Sequence, residues 1–145
     1  MTNATQTLFI RDGQSVVNAG KATTATYNGD FTLLLDDKCQ KLSFKQGEGA
    51  LELFERVKKA VKQNDNYALI LENGGFIDAR VISTAFVSSK TGNVVVVGIN
   101  DRPLCVFDSD AFSDLEGLAE AILDALVSVS KGVKMSKIDW AAYKH

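Results

Sequence analysis

Few residues in this 145-residue chain are equipped for catalysis. Its one histidine, His145, is the last residue, so no histidine-based dyad or triad can be assembled around a nucleophile. Cys39 and Cys105 form no Cys-x-x-Cys pair, which leaves neither a disulfide framework nor a zinc site. Cys105 alternates onto the face of Phe107 and is expected in the core, whereas Cys39 sits beside a turn and is expected to be exposed. No phosphate loop, dinucleotide fingerprint, zinc-protease helix or nucleophile elbow occurs. Gly47-Glu48-Gly49 precedes a helical pattern, but its glutamate stands where an anion would sit, so it reads as a strand-to-helix turn. Asp36-Asp37 and Asp108, Asp110 and Asp114 are the carboxylate groupings a hard cation would want. The first is also a hairpin turn and the second a helix entrance, and no metal or cofactor is expected. The expectation is a protein that is not an enzyme and acts by binding.

The elements that must carry a binding surface can be read from turn chemistry. Asp12-Gly13 separates Leu8-Phe9-Ile10 from Ser15-Val16-Val17, and Asn28-Gly29 and Asp36-Asp37 follow, which implies four strands. Ala50, Leu51, Leu53, Phe54, Val57, Ala60 and Val61 then recur at helical spacing, with Glu52, Glu55, Arg56, Lys58, Lys59 and Lys62 opposite. This predicts an amphipathic helix ending at Gln63 to Asn66. The same order recurs roughly 60 residues later, with Asn73-Gly74, Thr91-Gly92 and Asn100-Asp101 as turns and Phe107 in the place of Phe44. Ser113 and Glu116 form a capping-box pattern ahead of Leu115, Leu118, Ala119, Ile122, Ala125, Leu126 and Val129.

The fold expected is α+β: a tandem duplication of a ββββα unit, two antiparallel sheets and two amphipathic helices forming a pseudo-dimer within one domain, residues 1–145. The first unit spans 7–65 and the second 66–130, and 131–145 form a basic, aromatic tail. A unit of this size buries too little apolar surface alone, so the two should share a core. The second strand of each unit, Gln14 to Tyr27 and Gly75 to Ser88, is too long to stay flat. Ala19-Gly20 and Ala79-Arg80 are the expected bends where it passes from one sheet to the other. The Val94 to Val97 run suggests a central strand covered on both faces.

This tandem ββββα order, over about residues 7 to 130, resembles in topology the Whirly family and the paired PUR repeats. The resemblance implies single-stranded nucleic-acid binding on the sheet surface. Such binding needs aromatics for bases and cations for phosphates. Arg11, Lys21, Tyr27, Lys38, Lys41 and Lys45 in the first unit, and Arg80, Phe86, Lys90 and Arg102 in the second, are the candidates. The alternative is a protein-interaction module: an adaptor, inhibitor or assembly subunit, virus-encoded inhibitors being one such class. It would use the acidic second helix or the tail, where Trp140 and Tyr143 would contact the partner. A small-nucleotide pocket between the units, with Arg80 and Arg102 on the phosphate, is a third reading.

The net charge of -2 conceals an uneven distribution. Residues 1–65 hold nine Lys and Arg against eight Asp and Glu, residues 66–130 three against nine, and residues 131–145 four against one. The second helix carries Asp114, Glu116, Glu120 and Asp124 with no cation, so that face repels phosphate. No apolar run approaches the roughly 18 residues of a membrane helix, and the N-terminus lacks a signal layout. A cytoplasmic protein that self-associates and does not enter membranes is expected.

Overall fold

In the computed structural model, which describes residues 7–62 and 66–145, tight turns cut the chain into ten strands and two helices. β1 (Phe9–Asp12) and β2 (Ser15–Asn18) form a hairpin whose two loop residues are Gly13 and Gln14, since Asp12 pairs with Ser15. A short 3-10 turn, Ala19–Lys21, leads into β3 (Thr24–Tyr27), β4 (Phe31–Leu35), β5 (Lys41–Gln46) and α1 (Ala50–Ala60). β6 (Ala68–Ile70) and β7 (Phe76–Asp78) follow, then a second 3-10 turn, Ala79–Val81. β8 (Ile82–Val87), β9 (Val94–Gly98), β10 (Pro103–Phe107) and α2 (Leu115–Ser130) complete the main body. Residues Trp140–Tyr143 form a last 3-10 turn.

The class is α+β, and every strand pairing is antiparallel. The strands fall into three sheets, where two were expected: β1-β2, β5-β4-β3-β7-β6, and β10-β9-β8. Each long second strand is broken at the expected bend. Asn18 Oδ1 accepts from Gly20 N, and Asp78 Oδ1 from Arg80 N, so a side chain takes over a backbone donor where the ladder stops. At both breaks the chain changes sheet, and each half therefore has five short strands instead of four. The order of elements recurs, yet the halves pair differently. β1-β2 stand apart, whereas the β6-β7 hairpin is built into the sheet of the first half through β3.

That shared sheet is covered on both faces. α1 buries Ala50, Leu53, Phe54 and Val57, and its Leu53 and Val57 join a cluster containing Ile10, Val17, Ala25, Leu34 and Phe76. Burying a side chain the size of Phe54 contributes roughly 2 to 3 kcal/mol. The other face joins a larger cluster in which Leu35, Leu69 and Ile77 meet Val94 and Val96 of β9 and Leu118 and Ile122 of α2. Both clusters draw on both halves.

Several expectations need correction. α1 ends at Ala60, three turns long, because Val61 is already extended; Gln63 to Asp65 lie outside the described residues. Leu51, read as core, is exposed. α2 is capped by Asp114, which accepts from Gly117 N, and not by Ser113. Ser113 is held by the C-terminal segment, donating from N to Tyr143 O and from Oγ to Lys144 O, so the helix begins later. β9 is central in its sheet, but only Val94 and Val96 are buried; Val95 and Val97 are half-buried. Among the described residues no helix is long and apolar enough to cross a membrane.

Candidate functional site

A concavity of about 680 Å³ opens between the two larger sheets. One wall is the five-stranded sheet, through Thr26, Tyr27, Phe31 and Leu33. The opposite wall is β10, whose residues Pro103, Leu104, Cys105, Val106 and Phe107 all border the space. Successive residues of a strand point to opposite faces, so a lining of both parities means that the strand's edge borders the cleft. β10 is the last strand of its sheet, and among the described residues it pairs with β9 alone, so its other edge is unpaired. Leu71, Glu72 and Asn73, from the turn after β6, and Phe112 with Trp140 close the remaining sides.

Aromatic packing fixes this shape. Trp140 stacks on Phe107 with ring centroids 5.4 Å apart, Phe112 meets both rings, and Trp140 Nε1 donates to Ile70 O at 3.2 Å. Only one lining residue, Glu72, is charged, and Lys144 neutralises it with Nζ 2.8 and 3.0 Å from its two carboxylate oxygens. Two polar lining residues are engaged in turns: Asn73 Nδ2 donates to Tyr27 O, and Asn28 Oδ1 accepts from Asp30 N and Phe31 N. Burial pushes the Cys105 thiol up to about 12, with a Val106 backbone hydrogen bond pulling the other way, so it lines the cleft as an inert protonated thiol.

Of the sequence-derived candidates, Tyr27 and Trp140 line this cleft and the others are distributed elsewhere. Trp140 is buried against the domain while closing one side of the cleft; Tyr143 is half-buried, its carbonyl accepting from Ser113 N and Asp114 N. Tyr27 stacks on Phe54 of α1 at 5.6 Å. The Arg80 guanidinium is doubly bonded to Asp78, at 3.0 and 2.7 Å, and lies over the Tyr67 ring. The hydrogen bond to Asp78 raises its pKa, against a smaller opposing effect of burial. Lys21, Lys38, Lys41 and Lys90 are exposed on separate turns and strands, Phe86 is exposed on β8, and Arg102 follows a turn ahead of β10. Arg11 and Lys45 are brought together in a smaller pocket with Arg56.

The carboxylate groupings are occupied by backbone. Asp36 Oδ1 accepts from Lys38 N and Gln40 N, and Asp108 Oδ1 from Asp110 N and Ala111 N. Among the described residues no group of three or more His, Cys, Asp or Glu is placed to hold a metal ion. The Cys39 expectation is overturned: Cys39 is buried, at a left-handed φ of 57°, with Sγ 3.8 Å from Val81 O. Cys105 is partly buried and packs against the larger core cluster. The turn at Asp36 folds Cys39 inward between the halves. No protein-family model, curated protein or solved structure matches the chain.

Proposed function

We propose that this protein is a non-catalytic binding module whose cleft between the two larger sheets receives an extended, predominantly apolar peptide segment of a protein partner. The observation that supports this reading is the unpaired edge of β10 running along an aromatic, charge-neutral cleft. An added strand would take its main-chain hydrogen bonds from that edge, and its alternate side chains would enter between Phe31, Leu33 and Phe107. The cleft volume lies in the range of pre-formed ligand sites, and the absence of an unneutralised charge among its lining residues disfavours a charged ligand.

Titration with short uncharged peptides alternating Val or Phe with Ser tests this. Binding should alter Trp140 fluorescence and slow amide exchange at Leu104 to Phe107, and Val106→Asp, which places a charge at an exposed cleft position, should abolish it. Peptides that bind without touching the β10 amides would defeat the reading. Native mass measured alongside reports whether the chain itself associates.

Single-stranded nucleic acid is the second reading, supported by the exposed rings of Phe9, Phe44 and Phe86. These lie on β1, β5 and β8, one in each sheet, so they offer three separate stacking positions without a common platform. Oligo-dT titration at low salt is its test, and salt-sensitive binding that perturbs two or more of these rings together would favour it over the cleft.

A further inference from the structure

A second cavity, of about 230 Å³, lies where the β1-β2 turn, β5 and α1 meet, and its charge has no part in the cleft. Three cations from three elements border it: Arg11 of β1, Lys45 of β5 and Arg56 of α1. Arg11 Nε donates to Gly13 O at 3.0 Å, and Arg56 Nη1 donates to Arg11 O at 2.7 Å. These bonds hold both guanidinium groups in place, and among the described residues the remaining donors of each fork have no hydrogen-bond partner, which is the arrangement that accepts two oxygens of one anion. Lys45 Nζ lies 2.6 Å from Asp12 Oδ1. Gly49, beneath it, allows that path, because a Cβ there would stand 2.8 Å from Lys45 Cε. Asp12 and Glu52 are the opposing carboxylates, so the lining retains one net positive charge, with Asp12 already paired.

We propose that this pocket binds a phosphate group, held by the free forks of Arg11 and Arg56 with Lys45 supplying further positive charge. The ligand class is inorganic phosphate, pyrophosphate or a phosphoester small enough to enter; a single-stranded nucleic-acid backbone is the other source of the same group. Glu52 opposes the anion and sets the affinity low.

The full chain titrated with pyrophosphate, observed through the Nε–H signals of Arg11 and Arg56, tests the site. Both signals should shift together, and Arg11→Ala or Arg56→Ala should each weaken binding about tenfold or more, as expected for loss of a charge-assisted contact. Arg56→Gln, which retains most of the side chain, should do the same if the alanine variant folds poorly. Glu52→Gln should tighten binding several-fold, and Lys90→Ala, on the distant β8-β9 turn, should leave it unchanged. Competition by oligo-dT identifies the nucleic-acid backbone as a source, and lack of competition assigns the site to small phosphates. Signals that do not move with pyrophosphate, or affinity insensitive to both arginine substitutions, overturn the proposal.

Discussion

Two residues, one within the core and one packed against it, test the chemistry of the interior. Thr24 is fully buried in β3, and among the described residues its Oγ1 has no hydrogen-bond partner. A desolvated hydroxyl left unpaired costs free energy that an isosteric methyl does not. Thr24→Val should therefore raise the unfolding free energy by about 1 kcal/mol in urea titration, and a loss of stability would show that Oγ1 is satisfied in solution. Cys105 gives a pH signature. Its thiol, ordinarily ionising at 9.0, is held to about 12 in the fold by burial, so between those values the unfolded chain loses a proton that the folded chain keeps. The stability it contributes is complete below pH 9.0 and is lost as pH rises toward about 12. The urea midpoint should fall more steeply above pH 9.0 in the parent than in Cys105→Ala, and equal slopes would refute the assignment.

At the scale of elements, the seam between halves is the β3-β7 pairing, in which Thr24 faces Ile77 and Ala25 faces Phe76. Gly75 enters this seam so closely that a Cβ would lie 2.6 Å from Ala25 O and 3.2 Å from Phe54 Cζ. The first contact is with backbone that cannot swing aside. Gly75→Ala should cost about 2 to 3 kcal/mol, the range of an overpacked core, with lowered Tm as readout. Much of this layer was legible beforehand: the glycine turns, the broken second strands at Ala19 and Ala79, and the amphipathic spacing of both helices are local patterns. Cys39 was not, because burial of a turn residue depends on what docks over it. The seam was equally hidden, since Ala25 and Phe76 carry no mark of being neighbours. The cleft escaped notice for the same reason. Its walls come from Phe31, Leu71, Phe107 and Trp140, far apart in sequence, and no local pattern marks them as neighbours. Cations, chosen by type, were easily found, but type does not say which sheet a lysine stands on, and only Arg11 and Lys45 converge.

For the whole molecule, the C-terminal segment determines whether cleft and core are independent. Trp140 joins the β10 sheet, through Phe107, to the five-stranded sheet, through Ile70 O, and Lys144 ties the same segment to Glu72 after β6. The exposed Lys144 pair contributes little in water, whereas the ring occupies core volume. Trp140→Ala should therefore cost about 3 to 5 kcal/mol, while Lys144→Ala should change stability by less than about 1 kcal/mol. The cavity left by the indole would enlarge the cleft and remove the stacking partner of Phe107, so peptide binding should weaken even where the variant remains folded. Trp140→Phe separates the two contributions. It keeps most of the ring but loses the donor to Ile70 O, and should lie between parent and alanine variant in stability while retaining most of the binding. If Trp140→Phe unfolded as readily as Trp140→Ala, the hydrogen bond to Ile70 would be what joins the sheets, and the aromatic stack would be secondary.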